Sequence, residues 1–307
     1  MKKILIFILV LFFVNVHLSG QKRSHQLSNI DLKKTLRKIK DGSELKLPGQ
    51  SETYLLTANN SMMDAALQDR YPRIKIYHVR NTNDQVIGSV IKTSKTIYYN
   101  LELDGEMISF YPDFKAGGYV FEKGAQIDWQ CATEESKIMQ QLGQRSDIGK
   151  YSYGENRQNF RLGIITTGEF YEVHGNDDEV VMGEIVKTIA GVNQIYVRDF
   201  AVSFTLTASV QLFSDRDTDP YTPTIGMEAA SRTVQSARAF RDQFDADSYD
   251  IGITFNTFSD GWPGGGRAII RAACDPGSTV NGPTKARVWA ASDSIAENAF
   301  TVLVAHE

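Results

Sequence analysis

Two short apolar segments decide the fold of the C-terminal half: residues 160–166 read FRLGIIT and residues 201–212 read AVSFTLTASVQL. Both are rich in β-forming residues, so each predicts a strand. Between them, apolar residues recur at three- and four-residue spacing from Val181 to Tyr196, which is the periodicity of a helix. Asn176-Asp177-Asp178 supplies an N-cap and first-turn acids for this helix. The order strand, helix, strand predicts a parallel sheet with helices packed on it.

The same alternation continues toward residue 307. We expect a helix at 227–244, strands at 249–255, 267–273 and 286–291, and a last helix at 294–307. Residues 159–307 are therefore predicted to form part of an α/β domain with a mixed, largely parallel sheet.

The N-terminal half has a different, β-rich pattern. Runs of β-branched and aromatic residues predict strands at 74–79, 86–91, 96–103 and 107–111. Asp104-Gly105 separates the last two and suits a two-residue type I′ turn, because glycine tolerates a positive φ. Residues 29–42 alternate apolar and basic side chains and predict a short amphipathic helix. Residues 21–133 are thus predicted to form a β-rich domain, which makes the whole chain α+β.

The N-terminus has the order of a secretory signal peptide. Lys2 and Lys3 precede an apolar run from Ile4 to Val14, and small or polar residues follow to about residue 20. This run is shorter than the ~20 residues that a membrane-spanning helix needs. Residues 1–20 are therefore predicted to direct export and to be cleaved, which leaves a secreted protein without a stable membrane anchor.

Residues 134–158 are predicted to be an exposed linker between the two halves. They are rich in glycine, serine, glutamine and asparagine and have little apolar periodicity. Such a segment is accessible to proteases.

The composition excludes several classes of protein. The 307 residues are 42% hydrophobic and 23% charged, which is typical of a globular chain and not of a disordered or collagen-like one. A net charge of -4 gives no general electrostatic basis for binding nucleic acid, so no such partner is expected. Two cysteines are too few for a disulfide scaffold.

His306 and Glu307 are the candidate functional residues, because they are adjacent at the end of an apolar, helix-like run. This is the opening of H-E-x-x-H, in which two histidines one turn apart bind zinc and the glutamate takes a proton from water. The second histidine would fall beyond residue 307. We therefore interpret the chain as a fragment that ends inside the motif.

Several segments resemble the secreted, reprolysin-like metallopeptidases of the metzincin clan, particularly those of Bacteroidetes. In the C-terminal half the matching segments are 161–170 (RLGIITTGEF), 192–199 (VNQIYVRD), 249–252 (YDIG), 285–287 (KAR) and 300–307 (FTVLVAHE). In the N-terminal half, Leu47-Pro48, residues 71–75 and residues 96–111 are similar to the family's propeptide.

The resemblance implies a zinc endopeptidase precursor that hydrolyses protein or peptide substrates. It makes His306 the first zinc ligand and Glu307 the general base, and it implies contact between the propeptide and the catalytic domain. The remaining ligands would follow residue 307, so the chain by itself is expected to be inactive. The resemblance also makes residues 267–273 the edge strand above the cleft, where an extended substrate would pair.

Cys131 has three interpretations from the sequence. As a propeptide thiolate just before the linker, it would occupy the open position on zinc and keep the protease latent. The alternatives are a disulfide with Cys274 and an inert buried thiol.

Other functions and residues are less well supported. The main alternative is a non-catalytic secreted binding or adhesion protein that keeps the fold. A serine esterase is disfavoured because the chain contains no G-x-S-x-G. His174 is expected in a surface loop, and residues 214–220 are expected to form a solvated turn and not a calcium site.

Overall fold

The fold, taken from a computed structural model, contains two sheets with helices between and around them. The structure describes residues 25–27, 36–46, 52–124, 130–131, 157–221, 229–257, 265–269, 272–277, 280–292 and 297–307. The predicted signal peptide and nearly all of the predicted linker lie outside these residues. No helix among the described residues has the length and apolar character to cross a membrane.

The first sheet is built from the N-terminal half and is antiparallel throughout. Its eight strands lie in the order β1-β8-β7-β6-β5-β4-β3-β2. The strands are β1 (His25–Leu27), β2 (Glu44–Lys46), β3 (Thr53–Ala58), β4 (Lys75–Arg80), β5 (Val86–Lys92), β6 (Ile97–Leu103), β7 (Glu106–Pro112) and β8 (Tyr119–Lys123).

The turn between β6 and β7 has the conformation that the sequence predicts. Leu103 pairs with Glu106 across the turn between β6 and β7. Asp104 and Gly105 have φ angles of 54° and 76°, so both central residues are in the conformation that a type I′ turn requires. The four predicted strands of this half are confirmed. Of the helix predicted at residues 29–42, residues 36–38 are helical, whereas residues 39–42 form a bend and a turn, so the predicted helix extends too far. Residues 29–35 lie outside the described residues.

The second sheet is mixed and largely parallel, as predicted. Its order is β11-β10-β12-β14-β13-β9, and β13 runs antiparallel to β14. Its strands are β9 (Gln130–Cys131), β10 (Gln158–Thr166), β11 (Val202–Leu212), β12 (Ile251–Thr257), β13 (Gly265–Arg267) and β14 (Trp289–Ser292). One of these strands, β9, comes from the segment predicted to belong to the N-terminal domain.

Five α-helices complete the described structure: α1 (Ala65–Arg70), α2 (Gly168–Val173), α3 (Asp178–Phe200), α4 (Ala229–Gln243) and α5 (Glu297–His306). The side chain of Asp177 accepts a hydrogen bond from the Val180 amide at 3.2 Å, which confirms the predicted N-cap of α3. The helix ends at Ala201, whose φ is 54°.

Helix α3 lies between the two sheets and is buried on every side. Every residue from Val180 to Val192 is buried, although the sequence has the apolar periodicity of a helix with one solvent-facing side. Its apolar face packs on β11, and its opposite face packs on β5 and β6 of the first sheet. The first sheet therefore covers the helix face that the sequence leaves polar.

One apolar core joins the two halves of the chain. It contains Met62 and Leu67 from the N-terminal half together with Ile185, Val210 and Leu303 from the C-terminal half. A second core belongs to the first sheet alone and lies on its other face, around Leu56, Val90 and Leu101. The N-terminal half thus has a core of its own and also shares one with the predicted catalytic half.

Candidate active site

Helix α5 carries the predicted catalytic pair to its C-terminal end. Phe300, Leu303 and Val304 are buried on one face and hold the helix on the protein. The amide of Glu307 still donates to the carbonyl of Leu303 at 3.1 Å, so the helical path continues through both residues. His306 is exposed and Glu307 is half-buried. The imidazole is accordingly at a surface position that a metal ion or a substrate can reach.

The end of α5 is fixed by close contact with α3. A Cβ atom at Gly191 would lie 2.6 Å from Cγ2 of Thr301, so the absence of a side chain on α3 allows the two helices to approach. One turn further along α3, the hydroxyl of Tyr196 donates to the carbonyl of Ala305 at 2.8 Å. This bond is made to the residue directly before His306. It positions the last turn, where the candidate ligand lies.

Glu307 lies against the backbone of β13. A Cβ atom at Gly266 would lie 2.5 Å from Cγ of Glu307 and 2.6 Å from its Oε1. A side chain at position 266 would therefore force the carboxylate of Glu307 to move. Gly266 is thus part of the candidate site, although this role was not predicted from the sequence.

The prediction of an edge strand at residues 267–273 is wrong in its bounds. The strand comprises Gly265–Arg267, and residues 268 and 269 have no regular structure. Residues 272–277 form a turn in which Cys274 has a φ of 64°. Gly266 permits the close approach of Glu307 to the strand. Ala268 and Ile269, which suggested a strand, do not continue the pairing.

The outer edge of β13 is occupied by the short strand β9. Gln130 pairs with Gly265 and Cys131 with Gly266 in parallel register. The backbone of Cys131 thus pairs with the residue that Glu307 contacts, Gly266. The side chain of Cys131 lies outside the described residues. Cys274 is a free, exposed thiol, which argues against the disulfide alternative.

An apolar pocket of about 90 Å³ opens beside Glu307. Its walls include Leu162, Ile189, Val288 and Val304, and Glu307 is its charged member. The carboxylate therefore has an apolar surface on one side and the β13 backbone on another.

Charged groups are buried where α3 meets the first sheet. Nζ of Lys187 lies 2.6 Å from Oε1 of Glu184, and the two side chains are 0% and 1% exposed. Lys187 also lies 5.5 Å from the ring centroid of Tyr111, whose hydroxyl donates to Glu122 at 3.0 Å. The ion pair lies within α3 and compensates the burial of both charges. The contact of Lys187 with the ring of Tyr111 connects α3 to β7 of the first sheet.

His174 is buried, which corrects the prediction of a surface loop. It is the C-cap residue of α2, and the centroid of its ring lies 4.1 Å from that of Phe170, with the two planes tilted by 35°. Burial lowers its pKa to about 4, and the positive charge of Lys187 also lowers the pKa, against the opposing effect of Glu184. The packing of α2 explains the position, because Tyr171 and Phe170 on the same helix are buried.

The structure does not bring a complete metal site together within the described residues. They contain no group of three or more His, Cys, Asp or Glu side chains that could hold a metal ion. His306 is the predicted ligand that is present, and an imidazole nitrogen is a donor that zinc prefers. Gly266 and Tyr196 were missed as site residues. The glycine run at 264–266 was a visible signal for the first, and no sequence pattern indicated the hydrogen bond of the second.

A comparison with known protein families finds one match in the C-terminal half. Residues 156–307 match the sequence model described as Metallo-peptidase family M12B Reprolysin-like. The C-terminal half of the chain is therefore reprolysin-like in sequence, and the match supports a metallopeptidase. No significant relative was found among curated proteins.

Among solved structures, the fold is similar to metalloproteinase-II from Bacteroides fragilis. The identity is 9% and the TM-score is 0.41, and the match covers 86% of this chain and 78% of the other.

Proposed function

We propose that the protein is a secreted zinc-dependent endopeptidase precursor. In this proposal residues 1–20 are the signal peptide, 21–133 the propeptide, 134–158 the linker and 159–307 the N-terminal part of the catalytic domain. The observation that carries the proposal is the placement of Glu307 against β13 at the end of the helix that bears His306. The family match over residues 156–307 supports it.

The roles of the two residues follow from their positions. His306 holds zinc through an imidazole nitrogen at the exposed end of α5. When bound, zinc polarises the peptide carbonyl and lowers the pKa of water to ~7. Glu307 takes a proton from the attacking water and delivers it to the nitrogen of the leaving amine. Tyr196 and Gly266 keep the helix end and the carboxylate in place for this transfer.

Strand β13 offers the backbone along which a substrate would pair. Extended peptides bind to exposed sheet edges by β-augmentation, and the neighbouring pockets then select side chains. In this structure β9 pairs with that edge. The pairing supports a latent precursor in which the propeptide occupies the position of the substrate.

Cys131 is proposed as the latency thiol, because its backbone pairs with Gly266 and Gly266 contacts Glu307. A thiol-specific mercurial should activate the full-length precursor, and Cys131→Ala should make the mercurial ineffective. Cys274→Ala is the matched control, since Cys274 is a free, exposed thiol. If the mercurial still activates the Cys131→Ala variant, or fails to activate the Cys274→Ala variant, Cys131 does not have this role.

The peptidase activity is tested on the full-length gene product after removal of the propeptide. Casein cleavage should stop when the metal is removed with 1,10-phenanthroline and return when zinc is added. His306→Ala should lose bound zinc by elemental analysis, whereas the buried His174, replaced by Gln, should retain it. Cleavage that is independent of metal, or no cleavage by a zinc-loaded protein, would favour the binding or adhesion protein instead.

A further inference from the structure

The outer edge of β11 is covered by a segment of the N-terminal half. The amide of Asp64 donates to the carbonyl of Leu206 at 2.8 Å, and the amide of Leu206 donates to the carbonyl of Met62 at 2.9 Å. Met63 and Leu206 accordingly form an isolated parallel bridge. β11 has β10 as its strand neighbour on the other side. Met62 and Asp64 therefore satisfy both backbone groups of Leu206 on this edge.

Side chains extend this contact along β11. Oδ2 of Asp64 accepts from the Ala208 amide at 3.0 Å, and Oδ1 of the same residue caps α1 through the Leu67 amide at 2.7 Å. Nη1 of Arg70, at the end of α1, donates to the carbonyl of Val210 at 2.8 Å. Asp64 therefore both caps α1 and attaches it to β11.

Apolar contacts lie beneath these hydrogen bonds. Met62, Met63 and Leu67 are at most 5% exposed and belong to the core that also contains Leu206 and Val210. Burial of such apolar side chains favours the associated state. The contact combines a shared core with satisfied backbone groups, as a stable interface does.

This attachment lies far from the candidate active site. β11 and β13 are opposite ends of the C-terminal part of the second sheet, in the order β11-β10-β12-β14-β13. Four strand spacings of about 4.8 Å each separate them by roughly 19 Å. The N-terminal half therefore reaches both ends of this sheet, with residues 61–70 on β11 and two residues of β9 on β13.

We propose that these two contacts have separate tasks, and this inference rests on the precursor organisation proposed above. Residues 61–70 anchor the N-terminal domain on β11, and β9 blocks the substrate edge at β13. Cutting the linker leaves the anchor intact, so the cut N-terminal domain stays bound to the C-terminal half. Loss of β9 from β13 opens the edge without releasing the domain.

The test uses the chain with a specific protease site inserted between residues 145 and 146. After cleavage, the two fragments of the unsubstituted protein should co-elute in size-exclusion chromatography at micromolar concentration. Asp64→Ala and Arg70→Ala, made separately, should each raise the dissociation constant about tenfold or more, because a charge-assisted hydrogen bond is lost. Arg70→Ala leaves the cap of α1 intact and so separates attachment from folding.

Two further variants make the test decisive. Asp69→Ala is the matched control, because Asp69 is an exposed residue of the same helix. Cys131→Pro removes an amide from β9 and should leave the fragments together while hydrogen exchange at Gly265–Arg267 becomes faster. Separation of the unsubstituted fragments would overturn the proposal. Unchanged association in both the Asp64 and the Arg70 variants would overturn it as well, because the packing of the first sheet on α3 would then hold the fragments together. Separation by Cys131→Pro would also overturn it.

Association of the fragments is measured without any peptidase assay. Co-elution together with an inactive full-length protein would remove the proposed activity and keep the anchor. Separation of the fragments together with metal-dependent cleavage would remove the anchor and keep the proposed activity.

Discussion

Gly266 and Glu307 are in contact across the candidate active site: a Cβ atom at position 266 would lie 2.5 Å from Cγ of Glu307. The contact joins the strand that would hold a substrate to the residue that would move the proton. The position of the Glu307 carboxylate therefore depends on residue 266 being a glycine, which has no side chain.

Gly266→Ala should displace Glu307 and reduce peptide hydrolysis by about 100-fold, since misplacement by ~1 Å has that effect on positioned groups. Bound zinc should be unchanged, because the atoms nearest to the added Cβ belong to Glu307 and not to the ligand His306. The measurement is kcat/KM together with zinc content. Gly42→Ala is the control: a Cβ there meets nothing within 4 Å, although its φ of 70° is unfavourable. The Gly42→Ala variant should be slightly less stable and should keep its activity. An equal loss of activity in both variants would contradict the role of Gly266 in positioning Glu307.

Lys187→Met should lower the free energy of unfolding by about 3–5 kcal/mol, because Glu184 would remain buried without the lysine. Replacing both residues by Met should recover most of the loss. The check is urea unfolding. Lys123→Met is the control, because the Lys123–Glu106 pair is 2.5 Å apart but exposed, and it should cost no more than about 1 kcal/mol. Similar costs for the two lysines would show that burial of the pair is not decisive.

Stability should fall in mild acid because of His174. Burial holds its pKa at about 4 in the folded protein, below the ordinary value of 6.5. The unfolded chain therefore takes up a proton first as the pH drops from 6.5 toward 4, and folding loses about 2 kcal/mol between pH 7 and pH 5. His174→Gln should flatten this decline in urea titrations. His306→Gln, at an exposed site, should leave it in place. An identical pH dependence of unfolding in the His174 variant and the unsubstituted protein would contradict the assignment.

Asn298 connects the active-site helix to the first sheet. Its Nδ2 donates to the carbonyls of Met107 and Gly124 at 3.3 and 2.7 Å, and its Oδ1 accepts from the Ser109 hydroxyl at 2.5 Å. Asn298→Ala removes a partner from the buried Ser109 hydroxyl and from two half-buried carbonyl groups, and it should destabilise the protein by about 1–3 kcal/mol. Asn83→Ala, at an exposed hairpin turn, should have little effect. The comparison is made by thermal unfolding, and equal melting temperatures would contradict the role of Asn298.

Local sequence patterns predicted where helices and strands form, but they did not predict which of these elements contact each other. The helix from Asp178 and the turn at Asp104-Gly105 were predictable because capping and turn geometry depend on neighbouring residues. The pairing of Met63 with Leu206, and of Cys131 with Gly266, joins residues far apart in sequence. No local periodicity encodes such contacts.

The candidate site was predictable in part for the same reason. His306 and Glu307 are adjacent and lie on an apolar helix, so their chemistry is visible in the sequence. Gly266 and Tyr196 act on them from other elements. Lys187 and Glu184 have the composition of a solvated helix face, and their burial depends on a sheet formed by residues more than sixty positions earlier.

The proposed role of Glu307 as the general base of a zinc peptidase is tested most directly by peptide hydrolysis with Glu307→Gln in the activated full-length protein. We expect full zinc content and a kcat reduced by about 10²–10⁴-fold, the usual contribution of a general base. Glu172→Gln, at an exposed site with a surface ion pair to Arg216, should keep the activity. Hydrolysis by zinc-loaded Glu307→Gln at the rate of the unsubstituted protein would exclude Glu307 from this role.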